Sequence, residues 1–182
     1  IDHLEHSPAV LCNSINDGVS DYLHTSGKAK VTNYEWIDQK ENTETCSYLD
    51  PCETGLNSEC YDAIIEAEQL HLVPDHMAAL KESYRLLRPG GKLLISVPFL
   101  NGEKKTQVRS YTTEEGDRID LLHPINFKCT TDHVERVCYR LYGWSLLDDI
   151  KEAGFSDAYG AFSWSLYHGI LGMDLLTIVA VK

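Results

Sequence analysis

Residues 77–98 constrain the fold most strongly, because one short run combines a helix, a tight turn and a buried strand. Its first half repeats apolar residues at helical spacing and predicts an amphipathic helix. Pro89 ends that helix, and the pair Gly90 and Gly91 allows a sharp reversal of the backbone. The run 93–97, apolar except for Ser96, then predicts a strand that is covered on both faces. A helix that leads through a short turn into such a strand is half of a parallel α/β unit.

The same run resembles the class I S-adenosylmethionine-dependent methyltransferases, whose sequences carry a helix, the motif L-x-P-G-G and an apolar strand ending in proline. Residues 61–75, YDAIIEAEQLHLVPD, are similar to the strand and loop that precede this run in the family. The resemblance covers residues 9–100 and 143–182. It implies an α/β fold, with a doubly wound, mostly parallel seven-stranded sheet, flanking helices and an antiparallel last strand.

Strands and helices alternate along the predicted chain, as a doubly wound sheet requires. The predicted strands are 9–15, 30–37, 46–49, 61–67, 92–98, 155–162 and 175–181. The predicted helices are 18–25, 75–87, 131–141 and 144–153. We predict one methyltransferase-like domain over residues 1–182, in which residues 101–142 leave the sheet. We call this segment the excursion, and it is the candidate lid of the site.

Composition narrows the class of partner. The formal net charge of −12, from 16 basic and 28 acidic side chains, opposes binding to a phosphate backbone and argues against nucleic acid. No apolar stretch reaches membrane-spanning length, and residues 1–6 lack the features of a signal peptide. The six cysteines have neither a C-x-x-C pair nor the spacing of metal ligands. We therefore expect a cytoplasmic protein with reduced thiols and no bound metal, whose partner is a small molecule. The sequence leaves the oligomeric state open.

Ligands of open α/β sheets bind beyond the carboxyl ends of the strands, where the strand order reverses. The first loop of the resembled family is glycine-rich, E/D-x-G-x-G-x-G, and its backbone approaches S-adenosylmethionine. Here Cys12 stands where the acidic residue is usual, Ser14 replaces a glycine, and Gly18 is kept. The resemblance implies that this loop holds the methionine part of the cofactor through Asn13, Ser14, Asn16, Asp17 and Gly18. The alternative is a turn that merely joins a strand to a helix.

The resemblance implies further cofactor contacts after the second and third predicted strands. Glu35 is placed to accept the ribose hydroxyls, with Asp38 as its competitor and Trp36 near the adenine. Asp50 sits where the family often has an acidic residue that accepts from the adenine amino group. A solvent-facing charge is the alternative for the two candidate ribose ligands, and ordinary Asp-Pro turn chemistry is the alternative for Asp50.

Two carboxylates, Glu66 and Glu68, follow the fourth predicted strand. Because they are two residues apart, they point to the same side if the strand continues. We predict that one of them faces the methionine end or the sulfonium of the cofactor, and we take Glu66 as the candidate.

Candidates for acceptor chemistry lie in the excursion and near the end of the chain. His123 precedes Pro124 and should lie in an extended segment, which suits a general base entering a pocket. The alternative is a surface-loop histidine. An aromatic wall for a flat or cationic acceptor is predicted from a second set, for which core packing at the sheet edge is the alternative. Its members are Trp164, Tyr167 and His168. Tyr111, in the excursion, is a separate candidate for contact with the acceptor.

The resemblance implies an enzyme that transfers the methyl group of S-adenosylmethionine to a small-molecule acceptor. The alternative is a non-catalytic binding or scaffolding protein of the same fold, whose cofactor loop has decayed at Cys12 and Ser14. A nicotinamide-dependent oxidoreductase is disfavoured, because no G-x-G-x-x-G follows the first predicted strand.

Overall fold

The computed structural model describes residues 7–13, 18–35, 47–128, 135–167 and 170–182. The strands are β1 (Ala9–Cys12), β2 (Lys30–Glu35), β3 (Ser47–Tyr48), β4 (Tyr61–Ala67), β5 (Leu87–Ser96), β6 (Gln107–Val108), β7 (Ser110–Thr112), β8 (Arg118–Asp120), β9 (Asn126–Lys128), β10 (Glu135–Val137), β11 (Arg140–Leu141), β12 (Asp157–Ser165) and β13 (Ile170–Val181). The helices are α1 (Gly18–Thr25), α2 (His76–Leu86) and α3 (Leu146–Glu152), with a 3-10 turn at Leu70–Leu72. None of the described helices is long and apolar enough to cross a membrane.

Seven strands form the main sheet in the order β3-β2-β1-β4-β5-β13-β12. Strands β1 to β5 pair in parallel, whereas β13 is antiparallel to both of its neighbours. The strand order reverses between β1 and β4. Because β1, β2, β4 and β5 pair in parallel, their carboxyl ends all lie on one side of the sheet. We call that side the carboxyl edge. The predicted doubly wound, mostly parallel sheet with an antiparallel last strand is confirmed.

Helices cover the sheet on both faces. On one face, the buried side chains of Leu80 in α2 and Ile150 in α3 pack in the same core as Leu93 of β5. On the other face, Leu23 of α1 packs with Val10 in a smaller cluster. The two layers cover the sheet, which is why three apolar residues, 93–95, follow one another in β5.

The predicted turn at Gly90 and Gly91 lies within strand β5 and is hydrogen-bonded to the last residue of the sequence. Gly90 has a φ of 78°, and its N–H donates to the carbonyl of Lys182 at 3.0 Å. The N–H of Lys182 donates in turn to the carbonyl of Gly91 at 3.0 Å. A Cβ on Gly91 would lie 2.8 Å from the carbonyl oxygen of Arg88. Strand β5 therefore begins at Leu87, earlier than predicted, because the end of the chain pairs with the turn.

The described part of the excursion contains three two-stranded ribbons, β6 with β11, β7 with β8 and β9 with β10. The predicted helix 131–141 is wrong over residues 135–141, which form β10 and β11, and its residues 131–134 lie outside the described residues. Tertiary pairing explains the difference: Glu135 pairs with Lys128, and Arg140 pairs with Val108. These ladders satisfy the backbone groups that a helix would have satisfied internally.

Candidate functional site

Asn13 joins the carboxyl ends of β1 and β4. Its Oδ1 accepts from the backbone N–H of Ala67 at 2.7 Å. Its Nδ2 donates to the carbonyl of Ala67 at 3.2 Å and to Oε1 of Gln69 at 2.7 Å. Asn13 and Gln69 are both buried. This Asn13 clamp fixes the start of the loop that follows β4, and it uses both amide protons of the Asn13 side chain.

Glu66 lies beneath the carboxyl edge instead of on it. Its Oε1 accepts from the Tyr34 hydroxyl at 2.9 Å and lies 3.5 Å from Oγ of Ser83. Burial raises the pKa of Glu66 to about 7, although these hydrogen bonds act in the opposite direction. Burial and the neighbouring Glu66 raise the pKa of Tyr34 well above its ordinary value. The predicted contact of Glu66 with a cofactor is replaced in this structure by a buried hydroxyl–carboxyl pair.

Glu68, and not Glu66, has its carboxylate exposed to solvent at the carboxyl edge. Its φ of 52° places it in the left-handed region, which non-glycine residues rarely adopt. Its Oε1 accepts from Oγ of Ser96 at 2.6 Å, and its N–H donates to the carbonyl of Ser96 at 2.8 Å. The carboxylate is therefore held between the ends of β4 and β5, where solvent reaches it.

The other described cofactor candidates lie along the same edge. Glu35 ends β2, is half-buried, and its carbonyl accepts from the N–H of Leu49 at 3.1 Å. Asp50 is exposed, and its Oδ1 accepts from the N–H of Cys52 at 2.8 Å, which is the turn chemistry expected of its alternative. Gly18 begins α1, and a Cβ there would meet no atom of the described residues within 4 Å. Four of the predicted cofactor ligands lie outside the described residues: Ser14, Asn16, Asp17 and Trp36.

The excursion docks on the loop that follows β4. The N–H of Tyr139 donates to the carbonyl of His71 at 2.8 Å, and the Tyr142 hydroxyl donates to the carbonyl of Leu70 at 3.2 Å. Nη1 of Arg140 donates to the carbonyl of Pro74 at 2.8 Å. An open groove of about 350 Å³ separates the start of α2 from the excursion. It is lined by Pro74, Asp75, His76, Met77, Tyr111, Thr112 and Arg140, so the structure places the predicted acceptor residue Tyr111 at a concave surface.

His71 is a buried imidazole that the predicted site does not include. It is 1% exposed, and neither ring nitrogen has a hydrogen-bond partner among the described residues. The ring meets Phe127 of the excursion edge-on, with 4.8 Å between centroids. Burial lowers the pKa of His71 to about 4, so the ring is neutral at pH 7. Its apolar neighbours in the sequence, Leu70 and Leu72, indicate burial but not the missing partners.

The remaining acceptor candidates are not brought together with the carboxyl edge by any described contact. His123 is exposed, its Nδ1 lies 3.1 Å from the carbonyl of Pro124, and its own carbonyl accepts from the Arg109 guanidinium. Trp164 and Tyr167 are 63% and 92% exposed near the end of β12. Their strand runs parallel to β5, so they lie on the correct side of the sheet but two strands away. His168 lies outside the described residues.

Metal chemistry is not indicated by the described part of the chain. No group of three His, Cys, Asp or Glu side chains there is arranged to hold a metal ion. The described cysteines Cys12, Cys52, Cys60 and Cys138 form no disulfide with one another.

Comparison with known proteins finds a family match within the central part of the chain. Residues 20–95 match the family described as Methyltransferase domain. The chain is 35% identical over 65 residues to the arsenite methyltransferase of Mus musculus, a match that covers 36% of this chain and 17% of the mouse protein. Across the curated relatives that it matches, the chain spans between 17% and 29% of their length.

Solved structures match over almost the whole chain. The 1,6-didemethyltoxoflavin-N1-methyltransferase of Burkholderia thailandensis, with its substrate and S-adenosylhomocysteine bound, has a TM-score of 0.59 at 17% identity. That match covers 100% of this chain and 73% of the other. The phosphoethanolamine N-methyltransferase 2 of Haemonchus contortus has a TM-score of 0.59 at 15% identity, covering 98% of this chain and 50% of the other. These likenesses confirm the fold of the class I methyltransferases, and with the family match they confirm the resemblance found in the sequence.

Proposed function

We propose that this chain, a class I Rossmann-like methyltransferase domain, is an enzyme that transfers the methyl group of S-adenosylmethionine to a small molecule. The observation that carries the proposal is the carboxyl edge. There the Asn13 clamp, the half-buried Glu35 and the exposed Glu68 meet at the reversal of strand order, where doubly wound sheets bind their ligands. The family match over residues 20–95 supports the same reaction.

The residues present fit the cofactor. Glu35 at the end of β2 offers a carboxylate with the two oxygens that a ribose diol requires as acceptors. Gly18 at the start of α1 leaves open space where a backbone must approach a ligand closely. Bound there, S-adenosylmethionine supplies an activated methyl group, and the protein has mainly to align the acceptor with it.

The chain's own contribution is therefore orientation and exclusion of water. The Asn13 clamp holds Ala67 and Gln69 on either side of Glu68, so the exposed carboxylate has a fixed position. The excursion docks directly after this point through His71 and Leu70. We assign to the excursion the role of acceptor-side cover, because its docking places it beside the carboxyl edge.

The acceptor is a small molecule in this proposal. The net charge of −12 is unsuited to nucleic acid, and the solved structures from Burkholderia and Haemonchus hold small acceptors. Arsenite, the substrate named for the mouse relative, is not favoured, since soft ions of this kind require clustered thiolates. Among the described residues no such cluster is present. A cytoplasmic location is part of the proposal, because disulfides are rare in that compartment and the described cysteines form none with one another.

Removing the Glu35 carboxylate tests the cofactor site. We expect Glu35→Ala to weaken S-adenosylhomocysteine binding by about 1–3 kcal/mol, the cost of leaving bound hydroxyls without a charged acceptor. Isothermal titration calorimetry measures the loss, and the exposed Glu152→Ala in α3 serves as the control that keeps wild-type affinity. Absence of any binding to the wild-type chain would favour the non-catalytic alternative with a decayed cofactor loop.

Limited proteolysis tests whether the excursion acts as a cover over the acceptor side of the site. We expect saturating S-adenosylhomocysteine to slow cleavage between residues 101 and 120, because a cover that closes over ligand opens less often. The protection should disappear in Glu35→Ala at the same ligand concentration and return when the concentration is raised. Equal cleavage with and without ligand in the wild-type chain would show that the cofactor does not close the excursion.

A further inference from the structure

Glu68 combines two features that its role in the fold does not require. It is a non-glycine residue in the left-handed region, and its carboxylate is exposed at the centre of the carboxyl edge. Such strained positions persist only where surrounding structure imposes them, and they cluster at ligand sites. Glycine would keep the backbone hydrogen bond to Ser96 without strain, so the side chain itself has a use.

The surroundings impose this conformation from three directions. The Asn13 clamp fixes the residues on either side, Ala67 and Gln69. Ser96 at the end of β5 holds both the N–H and Oε1 of Glu68. Directly downstream, Leu70 accepts from the Tyr142 hydroxyl of the excursion. The carboxylate is therefore presented in one orientation between the cofactor strands and the proposed cover.

The charge of this carboxylate is not balanced within the described structure. Ser96 donates to Oε1, and no Lys, Arg or His among the described residues forms an ion pair with Glu68. Oε2 remains available as an acceptor of hydrogen bonds. The overall charge of −12 adds to the attraction of this position for cations.

We propose that Glu68 anchors the acceptor and selects small molecules that carry a cationic amino group. The inference rests on the proposed function, since it gives the substrate class for the same site. The ammonium group of such a molecule donates to the carboxylate of Glu68, while the rest of the molecule lies under the excursion. Glu68 is a specificity residue in this arrangement: it discriminates charged from neutral acceptors of equal shape.

Glu59, before the opposite end of β4, provides a matched control. It also has a positive φ, 55°, and an exposed carboxylate, but it precedes the amino end of β4 and pairs with Nζ of Lys182 at 3.4 Å. Changes to Glu59 therefore reproduce the loss of charge and the local strain without touching the carboxyl edge.

The test compares benzylamine, which is cationic at pH 7.5, with its neutral isostere benzyl alcohol. Binding of each probe is measured by ligand-observed NMR with saturating S-adenosylhomocysteine. We expect the wild-type chain and Glu59→Gln to prefer the amine by about tenfold, and Glu68→Gln and Glu68→Gly to lose that preference. Calorimetry measures S-adenosylhomocysteine affinity in both Glu68 variants, so that the two probes are compared at saturation in every case, and Glu68→Gly should melt no lower than the wild type, since the strain is relieved.

The outcomes separate this inference from the proposed function. If the wild-type chain binds S-adenosylhomocysteine but shows no preference for the amine, or binds neither probe, the assignment of Glu68 is overturned and the methyltransferase proposal survives. A preference that persists in Glu68→Gln overturns it equally. If S-adenosylhomocysteine does not bind the wild-type chain, the proposed function fails, and the assignment of Glu68 that rests on it fails too.

Discussion

Replacing His71 with Leu is expected to stabilise the protein at every pH, and most strongly in acid. The imidazole is 1% exposed and has no hydrogen-bond partner among the described residues, so burying its polar nitrogens costs about 1–3 kcal/mol. Leu fills a similar volume beside Phe127 without that cost. At pH 7.5 we expect a gain of this size in the free energy of unfolding.

The acid part of the effect follows from the lowered pKa of His71. Burial lowers it from 6.5 to about 4, so between these values the unfolded chain binds a proton that the folded chain does not. Stability is then complete above pH 6.5 and is lost as the pH falls toward 4, by a total of about 3 kcal/mol. The advantage of His71→Leu should therefore grow by that amount between pH 7.5 and pH 4.

Urea unfolding at a series of pH values measures both the constant cost of the buried polar nitrogens and the acid-dependent loss of stability. The variant His71→Gln separates these two contributions. Gln cannot titrate in this range but keeps a buried polar group, so it should remove the acid-dependent part and leave the constant cost. A difference between His71→Leu and the wild type that does not change with pH would show that the ring is already protonated or solvated in the folded state.

Local pattern was sufficient to predict the central sheet. The bounds of β4, Tyr61–Ala67, match the prediction, which placed a strand around the adjacent β-branched residues Ile64 and Ile65. Helix α2 begins one residue later than predicted because the Asp75 side chain caps it, accepting from the N–H of Ala78 at 3.0 Å. Where neighbours in sequence carry the information, prediction succeeded.

Long-range pairing was not visible in the sequence. Residues 135–141 form strands because they pair with residues up to about 30 positions away, whereas their local pattern predicts a helix. The start of β5 was likewise misplaced, since its first residues bond to the end of the chain at Lys182. Such partners become adjacent only in the folded molecule.

In the candidate site, too, the features that depend on local sequence were predicted and those that depend on the folded backbone were not. The ends of the first two strands were predicted approximately, and Asn13, which follows β1, and Glu35, which ends β2, lie at the carboxyl edge. Which carboxylate of the pair Glu66 and Glu68 faces solvent was not predictable, because the answer depends on the backbone turning left-handed at Glu68. Strand β4 ends at Ala67, so Glu66 is buried against Tyr34 inside the strand, whereas Glu68 lies beyond it and is exposed.

The buried carboxyl of Glu66 gives the second large effect, with the opposite pH dependence. Burial raises its pKa from 4.5 to about 7, so between these values the folded chain holds a proton that the unfolded chain has lost. The stability linked to this proton is complete below pH 4.5 and is lost as the pH rises through 7, by about 3 kcal/mol in total. Glu66→Gln, which has nearly the same shape and no charge, avoids the loss.

We therefore expect Glu66→Gln to change the free energy of unfolding little at pH 4.5 and to raise it by about 3 kcal/mol at pH 8.5. Tyr34→Phe is the matched variant, because it removes the hydroxyl that donates to Glu66 at 2.9 Å. It should destabilise the chain more at pH 8.5, where the buried carboxylate is charged and needs that donor, than at pH 4.5. Urea unfolding at both pH values measures the two effects. If Glu66→Gln destabilises the protein at pH 8.5, then the carboxylate is satisfied in its charged form, and the polar network under the carboxyl edge stabilises the fold instead of straining it.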